Sequence, residues 1–378
     1  MSGAVRHLYV HLPFCAHRCG YCDFVTVVGR HGLHGRYVDA LLAELELELE
    51  GDVLALPLET VFVGGGTPTF TEPGVLRRLL AALPAAGEVT VEANPETVTP
   101  PLARLLLQAG VTRVSLGAQS FQPHLLAVLE RRAGPDAVRG AFYHLRDASF
   151  DNISLDLLYG VPGQSASDLE RDIDEALRLE PQHLSFYELE AKPGTRFAHA
   201  HGSELSRQAE AMEGYFEVVV ERLSAAGYRW YETANFCLRP GLAGGRDLRA
   251  RHNLAYWLGR DYLGLGIGAV STLGAQRRRN TPRLPAYLAA LERVEAPPRE
   301  VEVLDEGVRA QERVMLGLRL DEGLPFAAAE GALDLAALAR LERLGLAMRR
   351  ACRDGPEDLV LTARGRRLGG GVTAELLA

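Results

Sequence analysis

In the first half of the chain, short runs of β-branched and other apolar residues alternate with amphipathic stretches of helical period. The apolar runs predict strands at residues 8–12, 60–63, 88–92, 112–117, 152–159 and 183–189. The amphipathic stretches predict helices at residues 36–50, 72–83, 100–108, 123–131, 135–148 and 167–179. Strands that alternate with helices of this length form βα units around a parallel sheet.

Six such units make up about three quarters of an eightfold barrel. We therefore predict an α/β fold whose first domain, residues 1–235, is a partial (β/α)6 barrel of TIM type. A doubly wound sheet alternates strands and helices in the same way, so it stays an alternative at this point.

Beyond residue 235 the pattern changes. Residues 237–283 are rich in glycine and arginine, and we assign 236–300 to a connecting region in which Pro297-Pro298 predicts a linker. Helices are predicted at 307–320 and 333–344, with a strand at 359–362 and a turn at Gly365. This order predicts a helical, winged-helix-like domain over 301–378. Its acidic residues, such as Asp305 and Glu306, favour packing or partner docking over DNA binding.

The composition of the 378-residue chain is that of an ordinary globular protein, with 47% hydrophobic and 24% charged residues. A net charge of −8 repels phosphate backbones, so we expect no nucleic-acid partner. No apolar run reaches the length of a membrane helix, and Arg6 and His7 interrupt the N-terminal segment where a signal peptide would lie. We therefore expect a cytoplasmic location, where thiols stay reduced.

Three of the five cysteines follow the first predicted strand with the spacing C-x3-C-x2-C. They are Cys15, Cys19 and Cys22. Three thiolates on one short loop can hold three irons of a cubane cluster and leave the fourth iron free to bind another molecule. Zinc held by three cysteines and a histidine, His11 or His17, is the alternative. Structural zinc sites use two spaced pairs of ligands, and the missing second pair favours iron and sulfur.

Three consecutive glycines end the second predicted strand, in the segment Gly64-Gly65-Gly66-Thr67-Pro68. Without Cβ atoms, their backbone allows a ligand to come close enough for hydrogen bonds to an amino group or a carboxylate. Glycine is common in tight turns after strands, so this segment gains meaning only beside the cysteine loop.

Together, these motifs resemble the radical S-adenosylmethionine (SAM) superfamily, and within it the coproporphyrinogen III oxidase-like group. The segments that carry the resemblance keep the order expected of that group. They are residues 9–15 (YVHLPFC), 64–69 (GGGTPT), 92–95 (EANP), 117–121 (GAQSF) and 156–164 (DLLYGVPGQ). The resemblance implies a barrel of the radical SAM type, with a [4Fe-4S] cluster on the three cysteines and SAM on its open iron.

The resemblance also implies which other residues contact SAM. They are Tyr9, Tyr21, Gly65, Gly66, Thr67, Glu92, Gln119, Arg131 and Asp156. Glu92, Gln119 and Asp156 belong to successive predicted βα units, the first two at the carboxyl ends of their strands, where barrels of this kind build their sites. The sequence departs from the group at Ala133, where the group has a histidine.

Two features resemble the HemW-type haem chaperone branch of this group. Phe24 stands where the oxidases carry a further cysteine, and the chain begins almost at the first strand. Residues 251–257 (RHNLAYW) match the H-N-x-x-Y-W motif that this branch uses for haem. His252 is then the expected axial ligand, with Tyr256 and Trp257 as flat contacts for the porphyrin. The arginines expected to pair with the propionates are Arg246, Arg249 and Arg251.

The resemblance implies a haem chaperone that binds haem and transfers it to haem-requiring proteins, such as respiratory-chain components at the membrane. The cluster and SAM are then structural or regulatory cofactors that gate transfer or permit a homodimer, and SAM cleavage stays open. The alternative function is oxygen-independent coproporphyrinogen III oxidase, which decarboxylates propionate side chains by radical chemistry. The net charge disfavours a radical SAM enzyme that modifies nucleic acid.

Overall fold

Strands and helices alternate along the chain. The structure is a computed structural model that describes residues 5–190, 192–352 and 355–377, and it does not describe the side chains of 205–213, 352, 355 and 356. The strands are β1 His7–Leu12, β2 Phe14–Cys15, β3 Val27–Val28, β4 Leu58–Gly65, β5 Ala86–Ala93, β6 Arg113–Gln119, β7 Ile153–Tyr159, β8 His183–Glu188, β9 Tyr228–Trp230, β10 Asn235–Leu238, β11 Leu263–Leu265, β12 Val270–Leu273, β13 Gln276–Asn280, β14 Arg299–Val303, β15 Leu324–Pro325, β16 Ala347–Cys352 and β17 Gly355–Leu361. The helices are α1 His34–Glu50, α2 Pro73–Ala82, α3 Pro100–Gln108, α4 Pro123–Val128, α5 Pro135–Asp147, α6 Ala166–Arg178, α7 Arg196–Ala225, α8 Arg251–Trp257, α9 Leu284–Leu291, α10 Glu306–Gly317, α11 Phe326–Ala329, α12 Leu335–Arg343, α13 Ala363–Arg367 and α14 Gly369–Leu376.

The main sheet has nine strands in the order β11-β1-β4-β5-β6-β7-β8-β10-β9. The six strands predicted from the sequence are its six central neighbours, and they are parallel and follow one another in chain order. A doubly wound sheet would reverse direction at a switch point, whereas strands added in chain order curve into a barrel. The α/β partial-barrel prediction is therefore confirmed. Strand β11 adds a parallel neighbour to β1, and β10 and β9 add an antiparallel end beyond β8.

Helix boundaries follow local signals in the sequence. The Thr99 side chain accepts a hydrogen bond from the Leu102 backbone at the start of α3, and Ser165 and Asp168 form a capping box at the start of α6. Helix α4 ends at Val128 where 131 was expected, and α10 ends at Gly317 where 320 was expected. Glu130 has a positive φ of 54°, which ends the helix and turns the chain back toward the barrel.

The sequence patterns did not predict several elements in the second half of the chain. Helix α7 spans 30 residues and packs on the sheet through Phe216, Val219 and Leu223, among other side chains. Its apolar positions are separated by polar and small residues, which hides the period. None of the helices in the described part of the chain combines the length and the apolar character that crossing a bilayer requires.

The predicted linker at Pro297-Pro298 is wrong. The Thr281 amide donates to the Pro298 carbonyl at 2.8 Å, and β14 begins at the next residue and pairs with β13 along its length. The boundary predicted after residue 300 therefore falls inside a strand. The division of the chain into three domains stays a prediction.

The last part of the chain has the winged-helix order of helix, strand, two helices and two strands, in α10, β15, α11, α12, β16 and β17. The three strands form one antiparallel sheet in the order β15-β17-β16. A hydrophobic cluster of its own holds this unit together, including Val314, Leu338, Leu341 and Leu359. The winged-helix-like prediction is confirmed, except that Gly365 lies inside the short helix α13 and not in a turn.

A buried carboxylate joins the first helix to the strands that follow the barrel. The fully buried Glu44 of α1 accepts hydrogen bonds from the Tyr287 hydroxyl at 2.7 Å, the Asn280 amide at 2.7 Å and the Gly266 backbone at 2.9 Å. The Arg299 guanidinium pairs with it at 3.1 Å. Burial raises the pKa of Glu44, and these donors oppose that shift.

We predict that Glu44→Ala lowers the free energy of unfolding by about 3–5 kcal/mol, because several buried donors and one guanidinium lose their acceptor together. The exposed Glu46 on the same helix provides a matched control, and Glu46→Ala should change stability by less than about 0.5 kcal/mol. Urea denaturation followed by circular dichroism measures both. Equal effects of the two substitutions would contradict this account of the network.

Candidate functional site

A cavity of about 500 Å³, here called the barrel cavity, opens at the carboxyl ends of the parallel strands. Parallel barrels place their sites at this end, because the loops after successive strands meet there. The cavity brings together the three cysteines and every residue predicted to contact SAM except Tyr9, whereas His252 and the other predicted haem contacts lie outside its lining. Those that line it are Cys15, Cys19, Tyr21, Cys22, Gly65, Gly66, Thr67, Glu92, Gln119, Arg131 and Asp156.

The cysteine loop is held at both ends by short strands. Strand β2, which ends at Cys15, pairs in parallel with β3, and the Gly29 amide donates to the Cys15 carbonyl at 2.9 Å. Inside the loop, the Cys22 amide donates to the Cys19 carbonyl at 3.2 Å. These bonds direct three thiols into one cavity. Burial raises the pKa of the Cys15 thiol to about 11 and also raises that of Cys22.

The residues around the three cysteines fit an iron–sulfur cluster. The expected zinc ligand His11 uses both ring nitrogens, one to the Tyr9 hydroxyl at 2.9 Å and the other to the Val25 carbonyl at 2.8 Å. His17 uses its Nε2 on the Glu130 carbonyl at 3.0 Å. The Arg131 guanidinium, 3.7 Å from the Cys19 sulfur, provides a positive charge beside the thiolates that a cluster requires.

The glycines at the end of β4 pack closely against the segment that leads into the cysteine loop. A Cβ at Gly65, where φ is +108°, would lie 2.5 Å from the His11 ring, and one at Gly66 would lie 2.6 Å from the Pro13 backbone. The missing side chains therefore leave room for His11 and for the Pro13 backbone, and because both glycines also line the cavity, their contact with a ligand stays a prediction. The Gly66 amide donates to Leu12 at 2.7 Å. The result is that the loop and the strand end pack directly against each other.

Two partly exposed carboxylates face the cavity from β5 and β7, on either side of β6. Glu92 accepts from the Gly65 amide at 3.0 Å, and Asp156 accepts from the Ser115 hydroxyl at 2.8 Å. Burial raises the pKa of Glu92 to about 7, and the nearby Asp156 adds to the shift. Burial also raises the pKa of Asp156, which the guanidinium of Arg113 opposes. A cavity with two such carboxylates suits a ligand that offers hydroxyl groups or an ammonium.

Arg113 is a functional residue that sequence reasoning missed. Its side chain is among the largest that are fully buried, and it lines the cavity. Its Nη2 lies 3.2 Å from the His183 Nδ1. An arginine inside a predicted strand has no motif around it, so only its burial beside two carboxylates reveals its role in balancing their charge.

Arg131 and its neighbours connect the cysteine loop to the opposite side of the cavity. The guanidinium donates to the Asn94 side chain at 3.0 Å and to the Gly117 carbonyl at 2.9 Å, whereas the adjacent Arg132 is exposed. Asn94, which belongs to the EANP segment but was not singled out, also donates to Thr67 at 3.0 Å. Gln119 has a positive φ of 65° at an irregularity in the β6–β7 register, and its side chain also lines the cavity.

Tyr9 lies outside the cavity lining. Its ring stacks on Phe62 with the centroids 6.2 Å apart, and Phe62 does line the cavity. Its hydroxyl bonds to His11 at 2.9 Å. In this structure Tyr9 supports the cavity wall, and its contact with SAM stays a prediction.

The structure does not present His252 as a ready iron ligand. The residue is buried, with one ring nitrogen bonded to Thr60 at 2.7 Å and the other to the Tyr256 hydroxyl at 2.9 Å. Burial lowers the pKa of His252 to about 3, and the neighbouring His7 adds to the effect. Axial ligation would require one of the two hydrogen bonds to break.

Two of the three arginines expected to hold the propionates have carboxylate partners. Arg246 pairs with Asp151 at 2.6 Å, and the backbone of Arg251 donates to Glu88 at 3.2 Å. Arg249 pairs with Asp247 at 2.6 Å and with a glutamate of the winged-helix unit. Their pairing with the propionates of a haem stays a prediction, which for Arg246 and Arg249 would require these ion pairs to open.

Helix α8, which carries the H-N-x-x-Y-W motif, stands between two cavities. Asn253 lines the barrel cavity, whereas Tyr256 and Trp257 line a second cavity of about 430 Å³. The motif therefore reaches both spaces within two helical turns.

Comparisons with known proteins identify the family of the chain. The radical SAM superfamily matches residues 9–176. A protein of Mycobacterium tuberculosis named heme chaperone HemW is 38% identical over 398 aligned residues, covering 100% of this chain and 96% of its own. The Bacillus subtilis protein of the same name is 33% identical and covers 85% of each chain.

The solved structure of coproporphyrinogen III oxidase (HemN) from Escherichia coli, described as a radical SAM enzyme, superposes with a TM-score of 0.79. It covers 98% of this chain and 90% of its own at 22% identity, which establishes a shared fold. The two HemW proteins are more similar to this chain in sequence than HemN is, with identities above 30% over at least 85% of the chain. The chain belongs to the radical SAM superfamily and, within it, to the HemW family.

Proposed function

We propose that this protein is a haem chaperone built on a radical SAM scaffold, which binds haem and transfers it to haem-requiring proteins. The observation that carries the proposal is the position of helix α8, whose H-N-x-x-Y-W motif contributes Asn253 to the barrel cavity and Tyr256 and Trp257 to the second cavity. The names of the relatives that match along the whole chain support it.

The barrel cavity holds the cofactors of this proposal, a [4Fe-4S] cluster on Cys15, Cys19 and Cys22 and a SAM beside it. When bound, this pair supplies one-electron chemistry at the SAM sulfonium. Thr67 and Arg131 hold the loop from either side, through contacts with the Cys15 and Cys19 sulfurs at 3.5 and 3.7 Å. In the chaperone the pair has a structural or regulatory role, gating haem transfer or the formation of a homodimer.

The cavity mouth favours this function over coproporphyrinogen III oxidation. Asp23, Glu188 and Glu190 are exposed carboxylates at the rim, and Lys192 is already paired with Glu190. A substrate with four propionates would be repelled there. Phe24, 60% exposed, occupies the position of the oxidases' additional cysteine.

The proposed function includes a cytoplasmic location and haem-accepting protein partners. An oxygen-sensitive cluster on free thiols requires a reducing compartment, which supports a cytoplasmic location. The acceptors are haem proteins, including components of the respiratory chain at the membrane.

We predict that the anaerobically reconstituted protein binds haemin with a shift of the haem absorbance and transfers it to an apo-haem protein, while it produces no protoporphyrinogen from coproporphyrinogen III. Titration by absorbance, followed by mixing with apo-myoglobin, measures the first two properties. Protoporphyrinogen formation above that of a cluster-free control would support the oxidase, and a chain that leaves the haemin spectrum unchanged would overturn the chaperone.

We predict that Cys15→Ala, Cys19→Ala or Cys22→Ala each abolishes the cluster absorbance and electron paramagnetic resonance signal after anaerobic reconstitution, since a cubane loses one of three protein ligands. Cys237 is buried on strand β10, outside the cavity lining, so Cys237→Ala is the matched control and should retain the full iron content. Retention of the cluster by the loop variants, or bound zinc in the wild type, would refute the assignment.

We predict that Glu92→Gln has opposite effects on stability and on SAM binding. The raised pKa of the folded-state carboxyl means that its contribution to stability is present at low pH and is lost as pH rises through about 7. The variant should therefore match the wild type near pH 5 and exceed it near pH 8 by roughly 1–3 kcal/mol. SAM affinity should fall by about tenfold or more, because the amide has no charge.

Thermal melts of the apoprotein across this pH range and SAM titration of the reconstituted protein provide the two measurements. Glu96 is exposed on the loop after the same strand, and Glu96→Gln should alter neither. A stability difference that does not change with pH would show that Glu92 is already ionised throughout.

A further inference from the structure

Asn94 bonds to two side chains that in turn contact two of the three cysteine sulfurs. It lies directly after β5 and lines the barrel cavity. The Arg131 guanidinium donates to its Oδ1 at 3.0 Å, and its Nδ2 donates to the Thr67 hydroxyl at 3.0 Å. Arg131 also lies 3.7 Å from the Cys19 sulfur, and the Thr67 oxygen lies 3.5 Å from the Cys15 sulfur. A single amide therefore links the two sulfur contacts.

The amide of Asn94 has only one orientation that suits both neighbours. A guanidinium can only donate, so the atom that faces Arg131 is the oxygen and the other atom is the NH2 group. That NH2 group donates to the Thr67 oxygen, which leaves the hydroxyl hydrogen for another acceptor. A thiolate that binds iron has no proton and can only accept. With a cluster bound, the hydroxyl is therefore the donor to the Cys15 sulfur.

The Arg131 guanidinium is oriented by two acceptors on one of its nitrogens. Its Nη2 donates to the Asn94 side chain and, at 2.9 Å, to the Gly117 carbonyl. The guanidinium is planar and rigid, so fixing Nη2 directs Nη1 toward the Cys19 sulfur. Removal of the asparagine amide takes away one of the two acceptors that set this direction.

The backbone of Asn94 is fixed by the residues that follow it. Its carbonyl accepts from the Thr97 amide at 3.0 Å and from the Thr97 hydroxyl at 2.7 Å. Pro95 restricts the residue before it to an extended conformation, and Asn94 has φ −94° and ψ 139°. The EANP segment therefore holds the amide in place through local structure.

Donors to cysteine sulfurs shift the reduction potential of an iron–sulfur cluster. Reduction by one electron adds negative charge to the cluster and its thiolates, and a nearby hydroxyl donor or guanidinium stabilises that charge. Contacts of this kind therefore raise the potential. The reduced cluster is then a weaker one-electron donor than the same cluster without them.

We propose that Asn94 is a positioning residue that sets the reduction potential of the [4Fe-4S] cluster, because it holds Thr67 and Arg131 against the sulfurs of Cys15 and Cys19. This inference rests on the cluster that the proposed function includes. It gives a role to the asparagine of the EANP segment, which the sequence did not single out. A raised potential disfavours electron transfer from the cluster to SAM, which suits a structural or regulatory cofactor.

The test is a redox titration of the reconstituted full-length protein without added SAM, followed by electron paramagnetic resonance. The cluster accepts one electron from a low-potential viologen mediator, which is oxidised by one electron, and no covalent bond changes. Asn94→Ala should lower the potential by about 59 mV or more, the equivalent of a tenfold change in the reduction equilibrium for one electron. Asn152 precedes β7 and lies outside the cavity lining, so Asn152→Ala is the matched control and should keep the wild-type potential.

The two sulfur contacts are tested separately. Thr67→Val removes the hydroxyl and should lower the potential, whereas Thr67→Ser keeps a hydroxyl and should restore most of the wild-type value. Thr71 is also buried after β4 and lies outside the cavity lining, so Thr71→Val is the matched control. Arg131→Gln should lower the potential as well, and Arg132→Gln, at the adjacent exposed position, should leave it unchanged.

Combined substitutions distinguish positioning from a direct effect of the amide dipole on the cluster. An amide that acts through its two neighbours has little left to do once both are replaced. Asn94→Ala added to the Thr67→Val/Arg131→Gln protein should therefore change the potential by less than about a third of its effect in the wild type. The full effect in this background would overturn the positioning role.

Iron and sulfide content, measured on every sample, separates the ways in which the inference can fail. Wild-type potentials in Asn94→Ala and Thr67→Val proteins that carry a full cluster would overturn the inference and leave the cluster assignment intact. A wild type that holds no cluster would overturn both. Asn94→Ser replaces Asn94→Ala if the alanine variant does not fold, and the same fall in potential is expected.

Discussion

The close packing of the β4 strand end against the cysteine loop is the contact on which the rest of the site depends. Gly65 lies against the His11 ring and Gly66 against the Pro13 backbone, at distances that leave no room for a Cβ. The backbone amides of Gly66 and Thr67 donate to the carbonyls of Leu12 and Phe14, which lead into the loop, and these bonds hold the contact. The position of all three thiols, and of the cavity wall that they form, follows from this approach.

Around this contact, cations and carboxylates of the cavity lining lie near one another. Arg131 spans from Cys19 to Asn94, and Arg113 lies beneath Glu92 and Asp156. An unpaired charge in such an interior would cost several kcal/mol, so the cations and carboxylates depend on one another. A cationic ligand with hydroxyl groups would find its partners already oriented, which is the property that a cofactor site requires.

Helix α8 relates the barrel to the winged-helix unit. It lines the barrel cavity through Asn253 and the second cavity through Tyr256 and Trp257, and its buried histidine bonds to the Tyr256 hydroxyl. Further contacts join the units nearby, including the pairing of Arg229 with Asp321 at 2.8 Å and the stacking of Arg366 over Trp230 at 3.6 Å. The two units therefore share an interface beside α8.

The sequence by itself determined the six βα units, the cysteine loop and most of the residues around the barrel cavity, because period, caps and short motifs are local properties. The strand order that separates a barrel from a doubly wound sheet was decided by long-range pairing. So were the charge partner Arg113, the packing role of the glycines and the buried state of His252. These features depend on which side chains from different strands and helices meet in space, and no local pattern records such meetings.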